Sequence, residues 1–442
     1  MALLMILALF LFVQIFTFLI PPLQSLDEER HLDRAYLLSK GKIFLGSQNS
    51  ISGGDIDTGL SSYMRPFSDL SDDYDHKLGR AAIRHSMGIA WSGNAQFKEL
   101  INTAAYFPLP YAPQALAISF GEHVGLTVDT TYHLARLFSL LATLGLLAAA
   151  LLVYPTPLIV VALFLTPMSL FQLSSASLDA VTFGTCAVVG SLFLRGCDRR
   201  LSFDSWMHLA LAVFAFSLAS SRFNLIALTL LPAFLAGIRR SRSYWISSGI
   251  ILCMTLGWII FVAVTNKGMP TLQMSMMGIA HYYLTNPDSL VRVFLSTFGD
   301  TRVLRSYWEN FIGILGGMDV PLDPYVYVLF GILLPLVAVI SMGRKVGGVS
   351  NVATLALLCV ALTSVVSLYL IELVTWTPFP GAMIYGVQGR YYTPTLIFLG
   401  FALFSGRQSA LRAKVGISIL FVEATVSVVS MVPKLIGRYW LT

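Results

Sequence analysis

The chain has 442 residues, 56% of them apolar and only 12% charged, about half the charged share of a soluble globular domain. Its 29 basic and 23 acidic residues leave a net charge of +6, which in so apolar a chain reads as loop topology and not as a nucleic-acid footprint. The four cysteines, Cys186, Cys197, Cys253 and Cys359, lie far apart in or beside apolar segments; they offer neither a metal spacing nor a disulfide framework and read as small buried hydrophobes.

A helix needs roughly 20 apolar residues to cross a bilayer. The expected spans are 2–20, 131–152, 157–171, 178–195, 206–220, 224–238, 245–265, 326–343, 352–373, 393–406 and 413–432. The pattern predicts a single all-α polytopic membrane domain over 1–442 with about eleven transmembrane helices. The first segment lacks a basic leader and meets Pro21-Pro22 instead of a small-residue cleavage site, so it reads as an uncleaved span. Residues 21–130 form one long loop that holds 13 of the 23 acidic residues, and 266–325 form a second. A loop as long as the first is expected to contain short helices of its own. One of these is 109-LPYAPQALAISFGEHVGL-126, apolar but short and punctuated by proline, as suits a helix at the membrane interface.

Orientation follows from Lys and Arg in short loops. With eleven spans and a cytoplasmic N-terminus, the clusters Arg195/Arg199/Arg200, Arg239/Arg240/Arg242, Arg344/Lys345 and Arg407/Arg412/Lys414 all fall inside. Only the C-terminal Lys434 and Arg438 disagree. Both long loops then lie outside the cytoplasm.

The first external stretch, 21-PPLQSLDEERHLDRAY-36, packs Asp27, Glu28, Glu29, His31, Asp33 and Arg34 into eight positions. As a helix over 26–40, Glu28, Leu32, Ala35, Tyr36 and Ser39 share one face and Asp27, His31, Arg34 and Leu38 a second, which predicts an amphipathic helix along the membrane surface. Two readings of its acids stand side by side. Ser25-Leu26-Asp27-Glu28 is a capping box, with Glu28 reaching back to the Ser25 amide and Asp27 favoured by the helix dipole. Alternatively, the acids are the heart of a site. Asp179 at the head of a span, Arg136 near the start of another, Arg222 in the turn 220-SSRFN-224 and Arg390 in 386-GVQGRYYTP-394 fall on the same external side. Ionisable groups of both signs at one membrane depth are functional candidates. Glu423 lies mid-span without an obvious partner.

Metal binding is a weaker candidate. Asp55-Ile56-Asp57 is a D-x-D, and Asp72 and Asp73 begin the oxygen-rich run 72-DDYDH-76; either suits Mg²⁺ or Mn²⁺, and either suits plain solvation. No Walker A, G-x-G-x-x-G or G-x-S-x-G motif is present, which argues against nucleotide binding through such loops and against an α/β-hydrolase triad.

The succession of a first span, P-P-x-Q-x-x-D-E-x-x-H-x-x-R-A-Y, "LSKGK", "YAPQALAISFGEHVGL", "LARLFSLLA", "TPMSLFQLSSASLDA", "WENFIGILGGMDVPL" and "QGRYYTP" resembles the bacterial membrane-protein family catalogued as domain of unknown function 2142, from Pro21 to Pro394. That family in turn resembles the glycosyltransferase C (GT-C) superfamily. The resemblance implies a GT-C-like fold in the bacterial inner membrane with an extracytoplasmic site. It implies a glycosyltransferase that moves a sugar, with inversion, from a polyprenyl-phosphate carrier to a cell-envelope glycan or glycolipid. Asp27 or Glu28 would be the catalytic base. His31, Arg34, Arg136, Asp179, Arg222, Gln388, Arg390 and Tyr391 would hold substrate and lipid phosphate, arginine forks suiting phosphate. Tyr391, Tyr392, Trp308 and Trp376 would stack on sugar rings or mark the interface. The rival expectations are a flippase or transporter of lipid-linked saccharides, disfavoured by the absence of an internal repeat, and a non-catalytic envelope-polysaccharide assembly protein.

Overall fold

The structure is a computed structural model that describes residues 2–72, 75, 77–266, 274–342, 344–345, 351–403, 406–407 and 409–441. Its helices are α1 (Ala2–Leu19), α2 (Glu28–Ser39), α3 (Thr58–Asp72), α4 (Arg80–Met87), α5 (Ile101–Ala104), α6 (Ala112–His123), α7 (Val128–Val153), α8 (Leu158–Leu165), α9 (Pro167–Leu173), α10 (Leu178–Cys197), α11 (Ser205–Ser221), α12 (Leu230–Arg239), α13 (Arg242–Thr265), α14 (Met276–Thr285), α15 (Pro287–Gly299), α16 (Thr301–Gly313), α17 (Pro324–Ser341), α18 (Asn351–Thr375), α19 (Tyr392–Leu403) and α20 (Ala410–Tyr439).

Each of the eleven predicted spans overlaps helix, although that over 224–238 is 3-10 helix as far as Thr229 and that over 393–406 outlasts α19. Among the described residues, six helices are long and apolar enough to cross a membrane: α7, α10, α13, α17, α18 and α20. The other five apolar segments are shorter or interrupted. The segment 157–171 breaks at Thr166, whose extended backbone separates α8 from α9; Pro167 disfavours helical geometry in the residue before it, and Thr166 Oγ1 accepts from the Ser169 amide at 3.3 Å to start the second half. Every residue of α9 is buried. A broken helix is tolerated at membrane depth where protein covers it. The outward faces of the long helices carry bare hydrophobes, such as Ile246, Ile250, Ile260 and Val264 on α13 and Val328, Ile332 and Val339 on α17. Water would penalise such a surface and lipid would not.

At the centre, α10 is buried along nearly its whole length, against α7, α11, α12 and α19. Its small residues permit this: a Cβ on Gly190 would come within 2.2 Å of the Phe401 ring on α19. The basic loops gather where α10 ends and α13 begins. Arg239 donates to the carbonyls of Gly196, Asp198 and Leu201, and Arg199 to that of Ile238. Arg344–Lys345 pairs with Gly406–Arg407 as a short antiparallel ladder. The two C-terminal cations that disagreed with the topology are ion-paired to the second long loop, Lys434 to Asp323 and Arg438 to Asp319, both at 2.6 Å, and Arg438 also donates to the Leu70 carbonyl of the first.

The first long loop folds as α2 to α6 around a three-stranded antiparallel sheet, β1 (Gly46–Gln48), β2 (Ile51–Asp57) and β3 (Ala95–Glu99). The sequence pattern did not reveal these strands. Helix α2 begins two residues later than expected and is covered by protein: Glu28, His31, Leu32, Asp33, Arg34, Ala35, Tyr36 and Leu37 are all buried, with α6, α5 and β2 around them. Its Asp33 side is closed by Lys98, which reaches both Asp33 and Glu29 at 2.7 Å. Helix α6 fills the predicted 109–126 segment and leaves Leu116, Phe120 and Val124 exposed. The second long loop contributes α14, α15 and α16.

Candidate functional site

Four elements meet at the ends of the helices opposite the basic loops: the head of α2, the head of α10, the tail of α11, and the turn 388–391 before α19. Asp27 precedes α2 with φ of 61°, a left-handed conformation that Asp tolerates better than most residues. The turn 388–391 is pressed against α16 because position 389 is glycine; a Cβ there would lie 2.1 Å from the Phe311 amide nitrogen. This contact fixes Arg390, whose side chain is 2% exposed.

Arg390 bridges two carboxylates. Its Nη2 donates to Asp27 Oδ2 at 2.6 Å and its Nη1 to Asp179 Oδ2 at 3.1 Å. Nη1 also reaches the Leu26 carbonyl, and Nε donates to Gln388 Oε1 at 2.8 Å. The second oxygen of Asp179 pairs with Arg222 Nη2. The result is a chain of alternating charge, Asp27–Arg390–Asp179–Arg222. Asp179 is almost wholly buried, whereas the Asp27 side chain is 41% exposed. Among the described residues, Nε and Nη1 of Arg222 donate to nothing; the guanidinium lies 5.4 Å from the Tyr106 ring and 5.7 Å from Tyr391, a cation–π seat. Burial is the largest single influence and acts to raise the Asp27 pKa, but the adjoining Arg390 guanidinium, together with His31 and Arg222, outweighs it and holds the carboxyl below the ordinary value. His31, one turn on, is buried and accepts or donates through Nδ1 to Tyr111 Oη at 2.8 Å; burial pushes its pKa down to about 4, so it is neutral at pH 7.

These side chains line a cavity of about 560 Å³. Of the residues expected at the site, Asp27, His31, Asp179, Arg222, Gln388, Arg390, Tyr391 and Trp376 are on its wall. One flank is apolar, built by Ile259, Val262 and Ala263 of α13 and Leu368, Ile371 and Val374 of α18.

Glu28, Arg34 and Arg136 stand behind the wall. Glu28 is 0% exposed. Its Oε1 accepts from the Ala176 amide at 2.7 Å, Tyr132 Oη at 2.8 Å and Arg136 Nε at 3.4 Å, and its Oε2 from the Ser25 amide at 3.3 Å. The capping-box reach to Ser25 is present, although the Ser25 hydroxyl turns to Gln172 instead of capping α2. Arg136 clasps the end of α1 through the carbonyls of Ile20 and Pro21, each at 3.0 Å. Arg34 closes the far end of α2 on the carbonyls of Lys42 and Ile43. Tyr392 and Trp308 pack inside, Tyr392 on Tyr369 and Trp308 on Tyr327.

The D-x-D runs along β2. Asp57 spends its carboxylate on the amides of Gly59, Leu60, Ser92 and Gly93, while Asp55 is exposed. Asp73 lies outside the described residues, and of Asp72 only the backbone is described. Among the described residues, no group of three His, Cys, Asp or Glu side chains converges on a metal position.

Residues that sequence reasoning passed over also line the cavity, notably Glu372, Tyr106, Thr103 and Asn266. Glu372 carried a signal, being the acid that interrupts the apolar run 352–373. The others had none, because an isolated Thr, Asn or Tyr in a loop is commonplace.

A family model described as a predicted membrane protein, DUF2142, matches residues 10–399. No curated protein and no solved structure matches the chain. The chain belongs to the DUF2142 family of membrane proteins.

Proposed function

For this member of the DUF2142 family, we propose a GT-C-like, multi-pass glycosyltransferase of the bacterial inner membrane, with eleven spans, a cytoplasmic N-terminus and an extracytoplasmic site. It takes a sugar from a polyprenyl-phosphate carrier and hands it, with inversion, to a cell-envelope glycan or glycolipid. The observation that carries the proposal is that a half-exposed carboxylate, Asp27, and a guanidinium with unused donors, Arg222, line one cavity whose flank is apolar.

Each part has a role in that chemistry. The isoprenoid follows the apolar flank between α13 and α18. The phosphate takes the free edge of Arg222 and draws Arg390 toward it, arginine forks being suited to phosphate. Asp27 thereby loses the partner that depresses its basicity. It accepts the proton of the acceptor hydroxyl as that oxygen bonds to the anomeric carbon. The bond from that carbon to the phosphate oxygen breaks, and its electron pair leaves with the polyprenyl phosphate. Asp179 stays buried and holds the two arginines apart. Glu28 is 0% exposed and stands behind the wall, three donors already on its Oε1, so the acceptor hydroxyl meets Asp27 and the base is Asp27.

The test is turnover. Purified chain in nanodiscs, given a panel of polyprenyl-phosphoryl sugars and envelope glycolipid acceptors, should release polyprenyl phosphate with one donor at least. If every donor is left intact while the same lipids bind, the chain is not a transferase.

A further inference from the structure

Three lining residues of the cavity hold polar atoms that no described residue satisfies: Thr103 Oγ1, Asn266 Oδ1 and Glu372 Oε2. Thr103 is 1% and Glu372 7% exposed. A buried polar atom without a partner costs about 1–3 kcal/mol, so such atoms are rare and each calls for a reason. Three on residues that line one cavity, from α5, the end of α13 and α18, share one reason if a ligand entering that cavity turns these side chains and supplies the missing bonds. Thr103 and Asn266 are neighbours, since Asn266 Nδ2 donates to the Ile101 carbonyl of α5. Glu372 is within the electrostatic reach of Arg222 and Arg390 yet forms an ion pair with neither among the described residues. It is therefore not part of the Asp27–Arg390–Asp179–Arg222 chain. The half-exposed Trp376 ring, one turn beyond Glu372, lines the same cavity.

The chemistry of the three groups is alike. A carboxyl, an amide oxygen and a hydroxyl all accept hydrogen bonds, and none is a cation. We infer that Thr103, Asn266 and Glu372, with the face of Trp376, form a polyol subsite that takes the hydroxyls of a sugar ring, separate from the arginine pair that takes phosphate. This inference rests on the proposed reading of the charged centre and adds the recognition of the sugar to it.

Binding of two probes separates the inference from its premise. Purified chain in nanodiscs is titrated with farnesyl phosphate and with farnesyl-phosphoryl hexoses. The wild type should bind one hexosyl probe at least tenfold more tightly than farnesyl phosphate. In Glu372→Gln, which keeps the shape, the ratio should fall severalfold. In Thr103→Val combined with Glu372→Leu it should approach one, with residual farnesyl phosphate binding marking a folded protein. A wild-type ratio near one for every hexose, or an undiminished ratio in both variants, overturns the subsite and leaves the phosphate centre standing. Failure of the wild type to bind farnesyl phosphate or any hexosyl probe overturns the phosphate centre and the subsite together.

Discussion

Arg390 holds Asp27 at 2.6 Å across 363 residues of sequence, and the same guanidinium holds Asp179. The base of the proposed reaction and the structural carboxylate behind it therefore share one cation. The two carboxylates and two guanidiniums of the chain Asp27–Arg390–Asp179–Arg222 balance in charge. The arrangement also separates residues that act on substrate from residues that hold the site, and the two groups should respond differently to substitution.

Asp179 should behave as a holding residue. It is buried between Arg390 and Arg222, and breaking a buried pair from one side typically costs about 3–5 kcal/mol because a charge is left uncompensated. Asp179→Asn is expected to lower the melting temperature strongly. The double variant Asp179→Asn with Arg222→Gln is expected to lose less than the sum of the single losses. Additive losses in thermal denaturation would mean that the pair does not interact.

Arg390→Lys keeps the charge but not the fork that reaches both carboxylates and Gln388. Turnover should fall by about two orders of magnitude, with a smaller effect on stability than Asp179→Asn. Turnover near that of the wild type would show that a point charge suffices and that the fork is immaterial.

His31 gives a pH signature. Its folded-state pKa of about 4 lies below the ordinary 6.5, so the unfolded chain binds the proton first on acidification. The stability due to neutral His31 is complete above pH 6.5 and is lost as pH falls toward 4, by up to about 3 kcal/mol. Asp33 slopes the other way: burial raises its pKa to about 6, so its contribution is lost as pH rises from 3.8 to 6. The difference between wild type and His31→Gln removes the Asp33 effect. Melting curves should show that difference shrinking or reversing from pH 6.5 to 4. A difference independent of pH would mean that His31 is already charged in the folded protein.

Arg136 was expected at the phosphate and is instead the clasp of α1. Arg136→Met should destabilise by about 3 kcal/mol or more, since it strands Glu28 and the carbonyls of Ile20 and Pro21. Protein that remains folded should bind farnesyl phosphate with nearly the wild-type Kd. A large loss of affinity without loss of stability would return Arg136 to the site.

The sequence was most informative where local physics decides. Apolar runs fell on helix in each of the eleven predicted segments, six of which, among the described residues, are long and apolar enough to cross a membrane, because burying or lipid-facing side chains need no knowledge of neighbours. Arg390, Arg222 and Asp179 were legible as charges at membrane boundaries, where an isolated charge is costly. Long-range closure was not legible. Nothing in 21–36 indicates that Glu28 meets Ala176 and Tyr132 or that Lys98 seals Asp33, and nothing in 51–60 that Asp57 ends a strand and serves backbone amides. The helix over 28–39 has one amphipathic pattern whether lipid or protein covers it, and here α6, α5 and β2 cover it.

The central claim is that Asp27 faces substrate while the adjacent Glu28 holds the fold. It is tested most directly by measuring donor turnover and melting temperature for Asp27→Asn and Glu28→Gln beside the wild type. Asp27→Asn should lose at least a hundredfold in turnover with little change in melting. Glu28→Gln should lower the melting temperature, since its oxygens serve four donors, while its folded fraction still turns over. Normal turnover by Asp27→Asn would contradict the account, whatever the behaviour of Glu28→Gln.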